Sequence, residues 1–305
     1  MENADPLIIL NPTANRGKIE QYRTLVRSRL AHEKADYVET SRQGEGQELA
    51  FHAAKDGRPI IIVGGDGTLN EAVNGMLLAG RRVPLGIVAA GSGNDFASNA
   101  LKLPSDPAIA IENAFSGSLV DVDAGKINGK YFVNAFGVGL DADIAVTVEA
   151  MKKIPFMSGV RLYYTAIVRQ LLFGYHRCPR LTFSLDESPH ESGVEKRYVL
   201  IAVSNGPAYG AGLHINPAAD HRDGLFDICT IDYMPLLRAL KLLPIAQKGQ
   251  HAGQPEVTFH RARKVHIESR VAVNMQMDGE TTSATCYDAE ILPGALWIRV
   301  PGERA

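Results

Sequence analysis

The sequence predicts an α/β domain followed by an all-β one: an N-terminal parallel sheet covered by helices, then an antiparallel β-rich sandwich. Two observations predict it. Up to about residue 122, short β-branched runs alternate with segments of helical periodicity. Beyond that point, alternating strand-like runs follow one another with turns between them. The domains are therefore read as 1–122 and 123–305, with 293–305 a candidate to pack back near the junction. A chain of 305 residues is long for one core and suits two.

The elements follow in order. "PLIIL" (6–10) reads as a short buried strand, and Ile19, Tyr22, Val26 and Leu30 follow at helical spacing. "YVET" (37–40) is a second strand, and Leu49, Ala50, Ala53 and Ala54 mark a second helix. "RPIIIV" (58–63) is a third strand, with Leu69, Val73, Met76 and Leu77 as its helix. "VPLGIV" (83–88) is a fourth. Right-handed crossovers would put the loop after every strand on one sheet edge, where open α/β sheets bind ligands. In the second part, "KYFVNA", "RLTFSL", "RYVLIAVS", "LFDICTI", "EVTFH", "KVHIES", "VNMQM" and "ALWIRV" recur between turns.

A basic helical segment (151–177) interrupts those strands. It holds five Lys or Arg residues and no acid. Val160, Tyr163, Tyr164, Ile167 and Leu171 form an apolar stripe along it. The stripe is expected to pack on the core, leaving the basic side to meet an anionic surface. "LLRALKLLP" (236–244) is a second, weaker amphipathic candidate.

Composition excludes several classes. A formal net charge of -2 gives no global field for nucleic acid. Cys178, Cys229 and Cys286 are odd in number and far apart, which suits neither a disulfide framework nor a zinc pattern. A reducing cytoplasm is the default. "MENADPLIIL" lacks the basic start of a signal peptide, and no run approaches about 18 apolar residues.

"IIIVGGDGTLNEAVNG" (60–75) carries the first chemical signal. Glycine-rich backbone between a strand and a helix lets N–H groups converge on an anion, aided by the helix N-terminus. Asp66 would repel a bare phosphate but suits a magnesium-bearing one. Thr68 is placed to cap the helix, with Asn70 in its first turn. Alone, Gly-Asp-Gly is more often a tight turn. Two further loops, "NPTANRGK" (11–18) and "GSGNDFA" (91–97), fall on the same edge and favour a nucleotide site. There is no Walker-type sequence. "GVGLDA" (137–142) lacks the later acid of a dinucleotide fold, so Gly137 and Gly139 read as a turn or close-packing site.

"NPTANRGK", "VGGDGTLNEAVNG", "GSGNDFA", "RDGLFD" and "MDGE" stand in the order that resembles the bacterial diacylglycerol kinase-like lipid kinases, relatives of sphingosine kinases and more distantly of NAD kinases. The similarity runs over residues 7–297. It implies an ATP-dependent lipid kinase that uses Mg2+ and acts on a lipid hydroxyl, most simply that of diacylglycerol. It places ATP contacts at Asn11, Pro12 and Thr13, at Thr40, and at Gly64, Gly65, Asp66, Gly67, Thr68, Leu69 and Asn70. Ser92 stands where the family usually has threonine, with Asn94 beside it. Asp66, Asp95 and Asp123 resemble its acidic network around nucleotide-bound magnesium, with Asp121 a rival for the third place.

"DHRDGLFD" (220–227) resembles a structural magnesium loop, with Asp223 as side-chain ligand and oxygen from Asp220 and Leu225. Asp278 of "MDGE" matches the general base that takes the acceptor's hydroxyl proton, with Glu280 orienting or assisting. Asp66 and Asp278 belong to different domains, so both would build the site. The implied partners are a lipid substrate and a peripheral contact with the inner membrane face. No nucleic acid is expected, and a homodimer is compatible with the chain. An NAD kinase-like activity and a non-catalytic nucleotide-binding regulator are the alternatives.

Overall fold

A computed structural model describes residues 4–14, 19–151, 159–186, 194–210 and 212–302. The chain divides into two compact units, Met1–Ala124 with Leu292–Ala305, and Gly125–Ile291. The change in sequence pattern suggests a boundary near residue 122; the division falls after Ala124.

In the first unit, β1 (Leu7–Leu10), β2 (Asp36–Glu39), β3 (Ile60–Gly64) and β4 (Pro84–Ala89) alternate with α1 (Glu20–Leu30), α2 (Glu45–Lys55), α3 (Asp66–Ala79) and α4 (Pro107–Ser116). The strands are all parallel, in the order β2–β1–β3–β4. Ile8, Ile9, Leu10, Ile60, Ile61, Ile62 and Val63 are buried, as continuous β-branched runs require in a sheet covered on both faces. Helix α4 shows its start in sequence: Asp106 accepts from the N–H groups of Ala108 and Ile109, and Pro107 occupies the first turn.

The C-terminal end of β13 (Glu280–Val300) adds a fifth strand, Trp297 opposite Pro84 and Ile298 opposite Leu85. Arg82 lies 4.4 Å over the Trp297 ring, and Asp121 accepts from both Arg82 and Trp297 Nε1. Strand β5 (Ser118–Ile127) and strand β13 carry the chain between the units.

The second unit contains β6 (Lys130–Phe132), β7 (Ala135–Gly139), β8 (Arg180–Leu185), β9 (Lys196–Ser204), β10 (Phe226–Asp232), β11 (Val257–Ala262), β12 (Lys264–Met277) and the start of β13. Pairing is antiparallel in the order β11–β10–β9–β7–β12–β13, and β8 pairs with both β9 and β12. Helices α5 (Leu140–Met151), α6 (Gly159–Arg169) and α7 (Leu236–Gln247) complete it. The apolar run in β9 serves two cores. Ile201 and Val203 pack with Phe132, Phe136 and Phe226 on one face; Leu200 and Ala202 pack with the helices on the other.

Within the described part of the basic segment, α6 runs into a π-helical turn (Gln170–Gly174) and a 3-10 turn (Tyr175–Arg177). Lys152 and Lys153 lie outside the described residues. Leu162, Ala166, Ile167 and Leu171 are buried, whereas Tyr164 of the expected stripe is exposed. The outer face is also not purely basic, because Val168, Leu172 and Phe173 are exposed on it. Among the described residues, no helix is long and apolar enough to cross a membrane.

Candidate functional site

In the first unit the C-terminal ends of the strands stand on one edge. Thr40 N–H donates to Leu10 O, Asn11 N–H to Val63 O, and Ala90 N–H to Gly64 O. Side chains then tie the loops together. Asn11 Nδ2 donates to Thr68 Oγ1 at 3.1 Å, while Asn11 Oδ1 accepts from the Thr13 N–H and hydroxyl. Asp66 Oδ2 accepts from Asn94 N–H at 2.8 Å. Asn94, held at φ +59°, accepts from Gly91 N–H through Oδ1 and donates back to Gly91 O. Pro12 lies in the turn after β1, Ser92 is exposed, and residues 15–18 of the first loop lie outside the described residues.

The glycines have two different reasons for being there. A Cβ on Gly91 would meet Gly65 Cα at 2.5 Å, and one on Gly64 would meet Thr68 Oγ1 at 2.3 Å. Gly91 lets its loop touch the Gly65 backbone, and Gly64 leaves room for the Thr68 side chain. Only Gly67, with open space around a would-be Cβ, leaves the approach to the start of α3 clear for a ligand.

Thr68 does not cap that helix. Gly65 is the cap residue and has no side chain with which to bond the first-turn N–H groups, which leaves the cap position itself open to another acceptor. Leu69 is buried with its N–H bonded to Gly65 O, and Asn70, beyond the first turn, is buried too.

The three acids assigned to magnesium have different surroundings. Burial pushes the Asp66 carboxyl above its ordinary range, and the N–H groups of Asn94 and Asp95 act against that rise. Asp123 is buried and accepts from Gly294 N–H at 2.7 Å, fixing the bend where β13 turns with Gly294 at φ +57°. Asp121 is engaged with Arg82 and Trp297.

In the second unit Asp278 sits at the β12–β13 turn with φ +45°, followed by Gly279 at φ +90°. Its carboxylate is gripped by backbone: Oδ2 accepts from Val133 N–H at 2.8 Å, and Oδ1 from Asn134 at 3.2 Å and Ala135 at 3.0 Å. The turn therefore projects the side chain and β6–β7 fixes it. Glu280 is exposed, with Lys130 Nζ 3.8 Å away.

The loop 220–227 carries three carboxylates, Asp220, Asp223 and Asp227, beside His221 and Arg222. Asp220 accepts from Arg222 N–H, and Asp223 accepts from Leu225 N–H while pairing with Arg261. The sequence reading passed over Asp227. It is 9% exposed, burial pushes its carboxyl up to about 6, and its Oδ2 has no hydrogen-bond partner. Arg261 Nε lies 3.6 Å from its other oxygen. An acceptor-only set with a buried, unsatisfied carboxylate oxygen fits a hard cation.

Asp141 was also missed. Behind Gly137 and Gly139, the first turn of α5 holds Asp141, half-buried against Tyr209, whose hydroxyl donates to Asp141 Oδ2 at 3.0 Å. Burial raises the Asp141 carboxyl to about 6 and the Tyr209 phenol well above its usual value. Both residues line a cavity of about 100 Å³ whose other walls include Ile144, Ile167, Leu171, Leu200, Leu242 and Leu243. The signal was the acid pair Asp141 and Asp143 directly after a glycine-rich strand end. The glycines themselves are packing residues: a Cβ on Gly139 would meet Val199 O at 2.5 Å, and one on Gly137 would meet Asp141 Oδ2 at 1.8 Å.

Comparison with known proteins adds the following. Residues 5–127 match the diacylglycerol kinase catalytic domain, and residues 134–300 match the YegS C-terminal NAD kinase beta sandwich-like domain. A diacylglycerol kinase of Mycobacterium tuberculosis (strain CDC 1551 / Oshkosh) is 30% identical over 96% of this chain and 94% of its own. One from Bacillus subtilis (strain 168) is 28% identical over 90% and 88%. A solved diacylglycerol kinase structure from Bacillus anthracis str. Sterne covers 98% of both chains with a TM-score of 0.73 at 22% identity, a likeness of fold.

Proposed function

The chain belongs to the diacylglycerol kinase family, and on that premise we propose that it transfers the γ-phosphoryl group of Mg-ATP to the hydroxyl of a membrane lipid, most simply diacylglycerol. The observation that carries the acceptor class is the cavity in the second unit, walled by aliphatic side chains with Asp141 and Tyr209 as polar members. Aliphatic walls suit hydrocarbon, and a carboxylate suits a hydroxyl. A soluble dinucleotide, the acceptor of the NAD kinase-like alternative, offers no hydrocarbon for such walls.

The first unit supplies the phosphate-holding edge. The open N-terminus of α3 and the loops joined by Asn11–Thr68 and Asp66–Asn94 would hold the triphosphate, with Asp66 and Asp95 nearest to its magnesium. Mg2+ would shield charge on the phosphates as they react. Asp278 is the candidate proton acceptor for the lipid hydroxyl, with Glu280 beside it. A second Mg2+ would be held by Asp220, Asp223, Asp227 and the Leu225 carbonyl as a structural ion.

Access to a membrane-held substrate is proposed through the outer face of α6, the turns after it, and α7. Val168, Leu172, Phe173, Leu237 and Leu240 are exposed there, and residues 159–177 and 236–247 contain no acid. Apolar side chains among cations suit an anionic interface.

The test is paired: labelled phosphate transfer from ATP to diacylglycerol in mixed micelles, and to NAD in plain buffer. Transfer to lipid alone is expected. Transfer to NAD alone would replace this reading with the dinucleotide one. Incubation with a total lipid extract, followed by mass spectrometry of the phosphorylated product, names the acceptor.

A further inference from the structure

Residues on the outer surface of the β12–β13 ribbon have no part in the chemistry above. In the antiparallel register His266 stands opposite Asp288, and Glu268 opposite Cys286. Side chains two apart on a strand share a face, so these four residues form the corners of one cross-strand square. Their neighbours Val265, Ile267, Tyr287 and Ala289 are buried on the other face, which leaves the square turned outward.

Three ligand-type atoms converge there. His266 Nδ1 lies 2.7 Å from an Asp288 carboxylate oxygen and 3.9 Å from Cys286 Sγ, and the thiol lies 3.4 Å from the other Asp288 oxygen. All three donor groups fall within 4.8 Å of one another. Tetrahedral zinc with bonds of about 2.0–2.3 Å wants donors about 3.3–3.7 Å apart, so each pair needs to adjust by about 0.7 Å or less.

The surroundings are those of a held site. Asn128 grips β13 at both ligand residues: Nδ2 donates to Cys286 O at 3.0 Å, and Oδ1 accepts from Asp288 N–H at 3.0 Å. The second ring nitrogen of His266 faces Glu268 Oε2 at 4.0 Å. A carboxylate behind a ligating histidine fixes its tautomer and strengthens it as a donor.

We propose that His266, Cys286 and Asp288 bind a thiophilic divalent metal ion of the zinc class, with Glu268 as the positioning carboxylate and the fourth position left to solvent. Nitrogen and sulfur donors disfavour Mg2+ and Ca2+, so this site is chemically distinct from any magnesium the kinase uses. It also stands or falls independently of the lipid acceptor. The sequence hid it because the donors come from two strands in cross-strand register, with no local Cys-x-x-Cys or His-x-His spacing.

The test uses Co2+ as the spectroscopic probe on chelator-treated, reduced full-length protein. The expected result is a thiolate-to-cobalt charge-transfer band that saturates at one equivalent, with intensified visible bands of tetrahedral cobalt, both displaced by Zn2+ and unaffected by excess Mg2+. Cys286→Ser should abolish the charge-transfer band, His266→Gln should remove the tetrahedral signature, and Glu268→Gln should weaken cobalt binding by about tenfold or more. Cys229, buried with its sulfur 3.7 Å from His251, is the control, and Cys229→Ala should leave the band intact. No band at all, or a band that survives Cys286→Ser, overturns the proposal. A Zn2+-induced rise in melting temperature lost in Cys286→Ser supports it without reference to catalysis.

Discussion

Two candidate carboxylates, Asp66 of the first unit and Asp141 of the second, are held in different ways. In the first, Asp66 is tied into a lattice of backbone donors, and the loops around it touch with glycine against glycine. In the second, Asp141 stands half-buried beside a cavity with aliphatic walls, with a tyrosine hydroxyl as partner. The first arrangement pins the carboxylate to the backbone of a neighbouring loop. The second leaves volume that a ligand can fill and makes the carboxyl sensitive to pH. On the proposed function, an edge that matches a triphosphate would gain from rigidity and a pocket for hydrocarbon from adaptable walls.

The largest expected effect breaks the rigid side. Gly91→Ala drives a Cβ to 2.5 Å from Gly65 Cα, where only backbone could yield. Melting temperature should fall by roughly 5 °C or more, the scale of a few kcal/mol of overpacking, and ATP binding should be lost. Gly67→Ala, with open space around it, should keep or slightly raise stability by about 0.4–1 kcal/mol while raising the apparent KM for ATP. Calorimetry beside nucleotide titration separates the two. Equal stability in both variants would show that the loops are not held by backbone contact.

Next comes Asp278→Asn. Phosphoryl transfer should drop by a factor of order 10² or more if the carboxylate is the base. The substitution is not silent for the fold, because an amide NH2 would face the backbone N–H groups of Val133, Asn134 or Ala135. Melting temperature should therefore fall as well. Turnover close to that of the parent, measured below the new melting point, would leave Asp278 a latch alone.

A smaller effect sharpens the contrast through pH. Folded Asp141 keeps its proton up to about 6, whereas the unfolded chain releases it near about 4. Between those values the folded state binds more protons, so its stability declines as pH rises through the window and levels off above it. Asp141→Asn removes that decline, so the variant should gain on the parent between pH 4 and 7 and stay ahead above it. Asp227, also raised to about 6, leaves a residual slope in both proteins. Melting curves from pH 4 to 8 check this; parallel curves for the two proteins would place Asp141 in a wetter setting. Lipid phosphorylation by the variant should fall while ATP affinity holds.

The smallest effect concerns the outer face of the helices. Leu172→Gln with Phe173→Gln removes exposed apolar area, so stability should change by less than about 0.5 kcal/mol. Sedimentation with anionic vesicles should weaken, and apparent KM for vesicle-held lipid should rise. Activity on a short-chain soluble acceptor should stay level. Unchanged vesicle binding would move the contact elsewhere.

The same contrast explains what the sequence disclosed. The first sheet was legible because β1 and β3 are continuous β-branched runs followed by glycines, a pattern dictated by burial on both faces. Glycine in the loops was noticed but given one cause; Gly64, Gly65 and Gly91 serve packing, and among the described loop glycines Gly67 is open. Thr68 resembled a cap because spacing cannot show that Asn11, 57 residues away, uses its hydroxyl. Asp141 and Asp227 escaped because what marks them is burial, which arises from tertiary packing and leaves only a faint local trace. The described part of the basic segment is helical as expected, but a period of 3.6 does not register the π and 3-10 turns that follow α6.

The pairing of Trp297 and Ile298 with β4 has a consequence for how the molecule is made. The first unit is discontinuous: its fifth strand is encoded some 200 residues after its fourth, with the whole second unit between. During synthesis the outer edge of β4 is therefore left without a neighbour until the last strand has left the ribosome. Leu85, fully buried in the finished sheet, waits with it. The second unit is continuous and owes nothing to that delay, so the order of translation favours its maturation before the nucleotide edge is complete.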